Sequence, residues 1–161
     1  MRCRATTDFS LRSGTEADGP MIADVFGAAR AASMPFVPVL YSIEEERNFF
    51  SRQLAAHSSL IAMREKRCAA FVIFRNGWID HLYVHPDWHR QGLGTALLDE
   101  LKTRQPEGLQ LWTFQANEGA RAFYERNGFT CVEVTDGSGN EERLPDQRYR
   151  WVGSGDPTGA A

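Results

Sequence analysis

The spacing of apolar residues changes several times along the chain, and each change predicts a new element. Near the start, FSLRSG predicts a short first strand. In the next segment, GPMIADVFGAARAAS, apolar residues recur at the spacing of one helix face, and SIEEERNFFSRQLAA predicts a second helix. We expect that second helix to begin at Ser42, because Ser42 and Glu45 fit a capping box.

An unusually apolar segment, MPFVPVL, separates the two predicted helices. It is predicted to be a loop, because Pro35 and Pro38 cannot continue a helix. Two roles fit its composition. The loop either packs onto the core or forms one wall of a substrate pocket.

The second half of the pattern predicts a sheet with two further helices. SSLIAMREKRCAAFVIFRNGWIDHLYV predicts three strands, with breaks at REKR and at Asn76-Gly77, a hairpin signal. A helix follows from about Gly92 to Arg104. LQLWTFQ then predicts a strand, NEGARAFYERN a short helix closed by Gly128, and FTCVEVTD and DQRYRWV two last strands. This order predicts a mixed α/β (α+β) fold, with a mixed sheet and helices on both faces.

Length and composition narrow the class of protein. The 161 residues suit one domain, predicted over 1–152 and followed by a flexible Gly-rich tail over 153–161. A net charge of −3 gives no basic field for nucleic acid. No apolar run approaches the length of a membrane span, and the N-terminal segment lacks the apolar core of a signal peptide, so we expect a cytoplasmic protein. The three cysteines, Cys3, Cys68 and Cys131, form no CxxC pair, so we expect no metal site and no disulfide framework.

The segment DWHRQGLGTALL, at Asp87 to Leu98, is the first candidate for chemistry. Two glycines let the backbone approach a ligand closely, and the amides that open a helix point outward without partners. Such a helix end favours an anion. It is not a Walker A loop, since no lysine follows Gly94, and not a dinucleotide fingerprint, since Leu97 stands where a third glycine is needed. A tight turn without a ligand is the alternative.

Two motifs together resemble the GNAT superfamily of acetyl-CoA-dependent N-acetyltransferases. LYVHPDWHRQGLGTALL is similar to that family's pyrophosphate motif, Gln/Arg-x-x-Gly-x-Gly/Ala after a strand. NEGARAFYERNGF is similar to its Asn-x-x-Ala-x-x-x-Tyr-x-x-x-Gly-Phe signature. The pair covers Leu82 to Phe129. One position departs from the family pattern, because His89 stands where Gln or Arg is usual.

The resemblance implies a fold and a co-substrate site. The fold is a central, mostly antiparallel mixed sheet in which two parallel strands, HLYVH and LQLWTFQ, splay apart. Acetyl-CoA lies in that gap, its pantetheine arm pairs with backbone there, and the amide of Val84 polarises the thioester carbonyl. The implied acetyl-CoA-binding residues are Leu82, Tyr83, Val84, His89, Arg90, Gln91, Gly92, Leu93, Gly94, Thr95, Asn117, Ala120 and Tyr124.

The resemblance also assigns catalytic roles. Tyr124 occupies the position of the tyrosine that protonates the departing CoA sulfur. The alternative is a structural tyrosine packed against Phe123 and Phe129. Asp80 is our candidate for the base that deprotonates the amine. Strand alternation places Asp80, Leu82 and Val84 on one face and His81 on the other, unless a β-bulge intervenes. His81 and a chain of waters are the alternatives.

The acceptor side is the least specified. The candidate walls are Met34 to Val39 with Phe36, and Trp78, Trp112 and Phe114. Acidic residues of the loop DGSGNEERLPDQRYRW, among them Glu141, Glu142 and Asp146, would attract a cationic amine, unless they only form a solvated loop. We therefore expect the acceptor to be a small-molecule amine or an exposed amino group.

Three further expectations concern the activity, the partners and the assembly of the protein. The resemblance predicts an enzyme that acetylates an amine without a metal; the alternative is a catalytically silent acetyl-CoA-binding sensor. We expect no nucleic-acid or membrane partner. The exposed strand edges of such a fold are compatible with a homodimer.

Overall fold

A computed structural model describes residues 9–154 of the chain. Within these residues, eleven helices and strands follow one another in the predicted order, with two short 3-10 turns between them. They are β1 Ser10–Arg12, α1 Gly19–Ser33, α2 Ile43–Ala56, β2 Ser58–Arg64, β3 Arg67–Arg75, β4 Trp78–Val84, α3 Leu93–Arg104, β5 Gly108–Phe114, α4 Glu118–Arg126, β6 Thr130–Thr135 and β7 Asp146–Val152. The reciprocal capping box of Ser42 and Glu45 is present at the start of α2.

The strands form one seven-stranded sheet in the order β1-β2-β3-β4-β5-β7-β6. Every neighbouring pair is antiparallel except β4 and β5. These two strands pair in parallel only at Trp78 and Gln110, near their first residues. Since no further pairing joins them, they diverge toward Val84 and Phe114. The predicted mixed, mostly antiparallel sheet with a splayed parallel pair is confirmed.

Helices cover both faces of the sheet, as predicted. On one face, α1 and α2 pack Ile22 and Phe50 against Phe71 of β3. On the other face, α3 packs Leu97 and Leu101 against neighbouring side chains of the same sheet. β3 is therefore buried on both sides, which explains its nearly continuous apolar run, CAAFVIF. The rigid centre of the sheet supports the point where β4 and β5 separate.

A register shift interrupts β4 at Asp80. Ile73 of β3 pairs with His81, whereas the next residue, Phe74, pairs with Ile79, so Asp80 is an extra residue in β4. Strict alternation, which would place Asp80 on the face of Leu82, is therefore wrong here. The β-bulge that we named as the exception is present.

The first residue of the predicted tail packs against the loop before β5. Gly153, which we expected to open the flexible tail, is buried. A Cβ atom at this position would lie 1.9 Å from the carbonyl oxygen of Pro106, so only glycine fits. Residues 155–161 of the predicted tail and Cys3 lie outside the described residues. Over residues 9–154, no helix is both long enough and apolar enough to cross a bilayer.

Candidate functional site

Two adjoining cavities occupy the gap between β4 and β5. The helix-side cavity, about 790 Å³, extends along the start of α3 and along α4. The loop-side cavity, about 750 Å³, extends toward the loop between β6 and β7. Residues common to both linings are Met34, Leu82, Tyr83, Asn117, Ala120 and Tyr124. The two cavities are thus the halves of one cleft.

The glycine-rich turn forms one end of the helix-side cavity. Gly92 has a φ of 78° and is the N-cap of α3. The first backbone hydrogen bond of this helix is donated by Ala96 to the carbonyl of Gly92, at 2.9 Å. The amides of residues 93–95 therefore have no helical acceptor. Three free amides at a helix N-terminus suit an anion, by geometry and by dipole.

Two arginines add positive charge to this end of the cleft. Arg90 lines the helix-side cavity in a left-handed conformation, with a φ of 65°. Arg126, in the last turn of α4, lines the same cavity. Sequence reasoning missed Arg126, although a cation that follows the signature tyrosine by two residues was a signal for it. Both guanidinium groups are permanently charged, so they favour an anionic ligand.

Nearly all of the predicted acetyl-CoA-binding residues lie together. Those that line the helix-side cavity are Leu82, Tyr83, Val84, His89, Arg90, Gly92, Leu93, Gly94, Thr95, Asn117, Ala120 and Tyr124. Gln91 does not line it. Its side-chain oxygen accepts a hydrogen bond from Arg64 instead, at 3.4 Å, because its side chain is directed toward β2.

His89 contacts the floor of the cleft. Its Nε2 lies 2.9 Å from the carbonyl oxygen of Val84. The amide of the next residue, His85, donates to the carbonyl of Ala69 on β3. Because successive residues of a strand direct their N–H and C=O groups to opposite sides, those of Val84 point away from β3. The N–H of Val84 therefore faces the gap. His89 thus contacts the peptide group that follows Val84, a contact that the sequence motif did not indicate.

The N-cap of α4 and two residues of the helix, Ala120 and Tyr124, face both cavities. Asn117 caps the helix, because its Oδ1 accepts from the amide of Ala120 at 3.1 Å, and it also lines the cleft. Tyr124 is 7% exposed and packs against Phe123 and Phe129. The position of Tyr124 is thus compatible with both the structural and the catalytic role. Its ring packs in the core, and one edge of the ring lines the cleft.

The hydroxyl of Tyr124 has the protonation state that an acid requires. Burial raises the pKa of Tyr124 above its usual value, so the phenol stays protonated at neutral pH. Within residues 9–154 this hydroxyl makes no hydrogen bond, whereas the nearby hydroxyl of Tyr149 donates to Glu125 at 2.7 Å. Tyr124 therefore has a proton available at the junction of the two cavities.

Asp80 and His81 both line the loop-side cavity, and each is constrained. Both carboxylate oxygens of Asp80 accept from Nε of Arg75, at 3.1 and 2.9 Å. The ring of His81 packs edge-on against Phe49 and Phe50, with centroids 5.7 and 5.2 Å away. Burial in this aromatic cluster lowers the pKa of His81 to about 4. As a base, Asp80 would have to act while paired with Arg75, and His81 while packed among aromatic rings.

The apolar walls of the loop-side cavity match the predicted set only in part. Trp112 and Phe114 line it, and the ring of Phe36 meets that of Phe114 edge-on at 6.3 Å. Trp78 does not line the cavity, because it lies at the paired end of β4. The loop MPFVPVL buries Met34 in the cleft but leaves Val39 66% exposed, so it forms a rim rather than a core-packed segment.

The β6–β7 loop, residues 136–145, closes the other side of this cavity. Asp146 accepts hydrogen bonds from Thr135 and from Asn140, and Asn140 also donates to the carbonyl of Leu144 at 2.7 Å. Sequence reasoning missed this bracing, since it joins residues across the loop. Glu142 lines the cavity, whereas Glu141 does not: Glu141 accepts from the hydroxyl of Tyr41 at the rim. Over the described part of the chain, no group of His, Cys, Asp and Glu could hold a metal ion.

Comparison with known proteins gives two kinds of match. The family model of the acetyltransferase (GNAT) domain matches residues 55–131. The alanine N-acetyltransferase of ribosomal protein bS18 from Salmonella typhimurium is 33% identical over 114 residues, which are 61% of this chain and 77% of the relative.

Solved structures share the fold. YjaB from Escherichia coli superposes with a TM-score of 0.76 at 21% identity, over 91% of this chain and 99% of that one. The PaiA N-acetyltransferase of Thermoplasma acidophilum, solved in complex with coenzyme A, gives 0.71 at 18% identity, over 89% of this chain and 98% of that one.

Proposed function

The chain belongs to the GNAT family of N-acetyltransferases, and from this premise we propose that it transfers the acetyl group of acetyl-CoA directly to an amine in a ternary complex. The observation that carries the proposal is the continuous cleft. One half offers an anion site and the open backbone of β4, the other half has room for an acceptor, and Tyr124 lies where they meet.

The helix-side cavity fits acetyl-CoA. A pyrophosphate on the free amides of residues 93–95 would lie between Arg90 and Arg126. The pantetheine arm would extend along β4 toward Val84, whose amide faces the gap and would polarise the thioester carbonyl. The relative solved with coenzyme A supports this use of the cleft.

The chemistry needs no covalent enzyme intermediate. The neutral amine attacks the thioester carbon, a carbon–nitrogen bond forms, the carbon–sulfur bond breaks, and the sulfur takes a proton. Tyr124 supplies that proton, since its hydroxyl is protonated and has no competing hydrogen bond within the described residues. We expect Tyr124→Phe to lower kcat by 100-fold or more, on the order of a lost general acid, while the affinity for acetyl-CoA changes little.

The acceptor is proposed as a primary amine of a small molecule or an exposed amino group of a protein. The relatives named for ribosomal protein bS18 support the second class. The open mouth of the loop-side cavity, where Trp112 is 43% exposed, leaves space for a chain attached to the amine.

A thiol-release assay tests the proposal. Acetyl-CoA is supplied with polyamines, amino acids, arylalkylamines, aminoglycosides and peptides that begin with alanine. Release of CoA that depends on one of these amines is the expected result. Tight binding of acetyl-CoA without release for any amine would favour the silent sensor instead.

Location and assembly follow as proposals. We propose a cytoplasmic enzyme, because Cys68 and Cys131 are free thiols, as expected in a reducing compartment. We also propose a homodimer that pairs along the edge strand β6, where Val132 and Val134 are exposed. Light scattering of the purified chain distinguishes a dimer from a monomer.

A further inference from the structure

We propose that Glu142 is the base of the reaction: its carboxylate receives the ammonium group of the acceptor and removes a proton from it. This inference rests on the proposed acetyl transfer and names the residue that prepares the amine. It replaces Asp80, the base that we expected from the sequence.

The groups that line the loop-side cavity leave one carboxylate uncommitted. Asp80 is held by Arg75, and Asp146 accepts from Thr135 and from Asn140. Glu142 makes no hydrogen bond and no ion pair within residues 9–154. At Asp80 an entering ammonium group would compete with Arg75, and at Asp146 it would compete with two neutral hydrogen-bond donors. At Glu142 it would displace no partner within residues 9–154.

Glu142 also lines the same cavity as Tyr124, the proposed acid. Its side chain is half-buried, unlike that of its neighbour Glu141. Its negative charge reaches Tyr83, which faces both cavities and has its pKa raised to about 12 by burial, with a contribution from Glu142. Glu142 thus lines the same cavity as Tyr83 and Tyr124, the two tyrosines that also face the acetyl-CoA half of the cleft.

The loop around Glu142 holds a specific shape. Asn140 donates to the carbonyl of Leu144 at 2.7 Å and accepts from its amide at 3.2 Å. Gly137 has a φ of 86°, and a Cβ atom there would lie 2.3 Å from the carbonyl carbon of Leu144. Arg143, next to Glu142, has a left-handed φ of 57°. Such a constrained backbone is typical of loops that position a functional side chain.

The proton balance is simple. The acceptor arrives as an ammonium ion, since alkylamines have a pKa of about 10 and α-amino groups about 8. Glu142 takes one proton and passes it to solvent through the open mouth. The nitrogen then attacks, forms the bond to the acetyl carbon and loses its second proton, while the sulfur gains one proton from Tyr124, which is reprotonated. One proton is released per amide formed.

The pH dependence that Glu142 gives to the reaction can be distinguished from that of the other titratable groups around it. The titratable side chains that share the cavity are Asp80, His81, Tyr83, Tyr124 and Asp146. Arg30 of α1 acts electrostatically on Tyr83 and lowers its pKa. His81 has a pKa of about 4, so it stays neutral across the neutral range. A loss of activity on acidification between pH 6 and 8 would therefore not arise from His81.

The test compares Glu142→Gln, Asp80→Asn and a matched control, Glu107→Gln, whose side chain is exposed and lines neither cavity. The substrates are acetyl-CoA and the amine that the wild type acetylates fastest in the panel. We expect Glu142→Gln to lower kcat/KM for the amine by about 100-fold or more at pH 7, the range of a lost general base. The loss should shrink as the pH rises and the free amine becomes abundant. The control should match the wild type, and Asp80→Asn should keep the wild-type pH profile.

A second acceptor separates catalysis from folding. A weakly basic amine that is already neutral at pH 7 should lose far less rate in Glu142→Gln than the strongly basic one. A uniform loss for both amines, or an unchanged rate in Glu142→Gln, would overturn the proposal while acetyl transfer by the wild type stands. No transfer by the wild type to any amine would overturn acetyl transfer itself.

Discussion

His81 should make the protein less stable in mild acid. Its ring is packed against Phe49 and Phe50, and burial lowers its pKa to about 4, from the 6.5 of an exposed histidine. The unfolded chain therefore binds a proton at a pH where the folded protein does not. The stability is fully present above pH 6.5 and is lost as the pH falls toward 4.

The size of the effect follows from the two pKa values. One pKa unit corresponds to about 1.4 kcal/mol, so the free energy of unfolding should fall by about 2 kcal/mol between pH 8 and pH 5, and by about 3 kcal/mol by pH 4. His81→Phe removes this titration and keeps a ring in the aromatic cluster. Its free energy of unfolding should therefore fall less with acid than that of the wild type, by those amounts.

Urea denaturation at several pH values measures both proteins directly. Other titrating groups act equally in each, so they cancel in the difference between wild type and variant. Parallel curves over pH 8 to 4 would refute the reasoning, because they would mean that His81 titrates alike in the folded and unfolded chain.

Three further substitutions test other parts of the account. Gly94→Ala should raise the KM for acetyl-CoA severalfold, because a Cβ atom there would lie 3.0 Å from the ring of Phe123, which lines the cleft. Arg90→Gly should leave the free energy of unfolding within about 1 kcal/mol, since glycine tolerates the left-handed φ, but should weaken acetyl-CoA binding, most at low salt. Asp18→Asn should lower the free energy of unfolding by about 1 kcal/mol at neutral pH, because the hydrogen bonds from Arg12 lower the pKa of Asp18 to about 2. The variant should also lose less stability than the wild type as the pH falls from 4 to 2, and urea denaturation measures both effects.

The parts of the molecule that local patterns determine were predictable. Strand and helix order follows from apolar spacing, and the free amides at the start of α3 follow from the glycines before it, because a helix start exposes its amides whatever surrounds it. The resemblance then supplied the parallel pair that splays, which no local pattern encodes.

Long-range register was not predictable. The extra residue at Asp80 depends on how β3 pairs with β4, and the ion pair with Arg75 depends on that bulge. His89 is similar: its sequence position suggested a phosphate contact, whereas its ring reaches the carbonyl of Val84 across the turn. The commitment of Asp146 to Asn140 likewise arises only when the β6–β7 loop has closed, which is why Glu142 could not be singled out from the acidic residues around it.

The central claim is that the acetyl group passes directly from acetyl-CoA to an amine within the cleft. The most direct measurement is a single-turnover reaction with acetyl-CoA labelled in its acetyl group, followed by mass analysis of both protein and acceptor. The account predicts that the label appears on the nitrogen of the acceptor and that the mass of the protein never changes. A label that accumulates on the protein, or that stays on CoA with every amine tested, would contradict it.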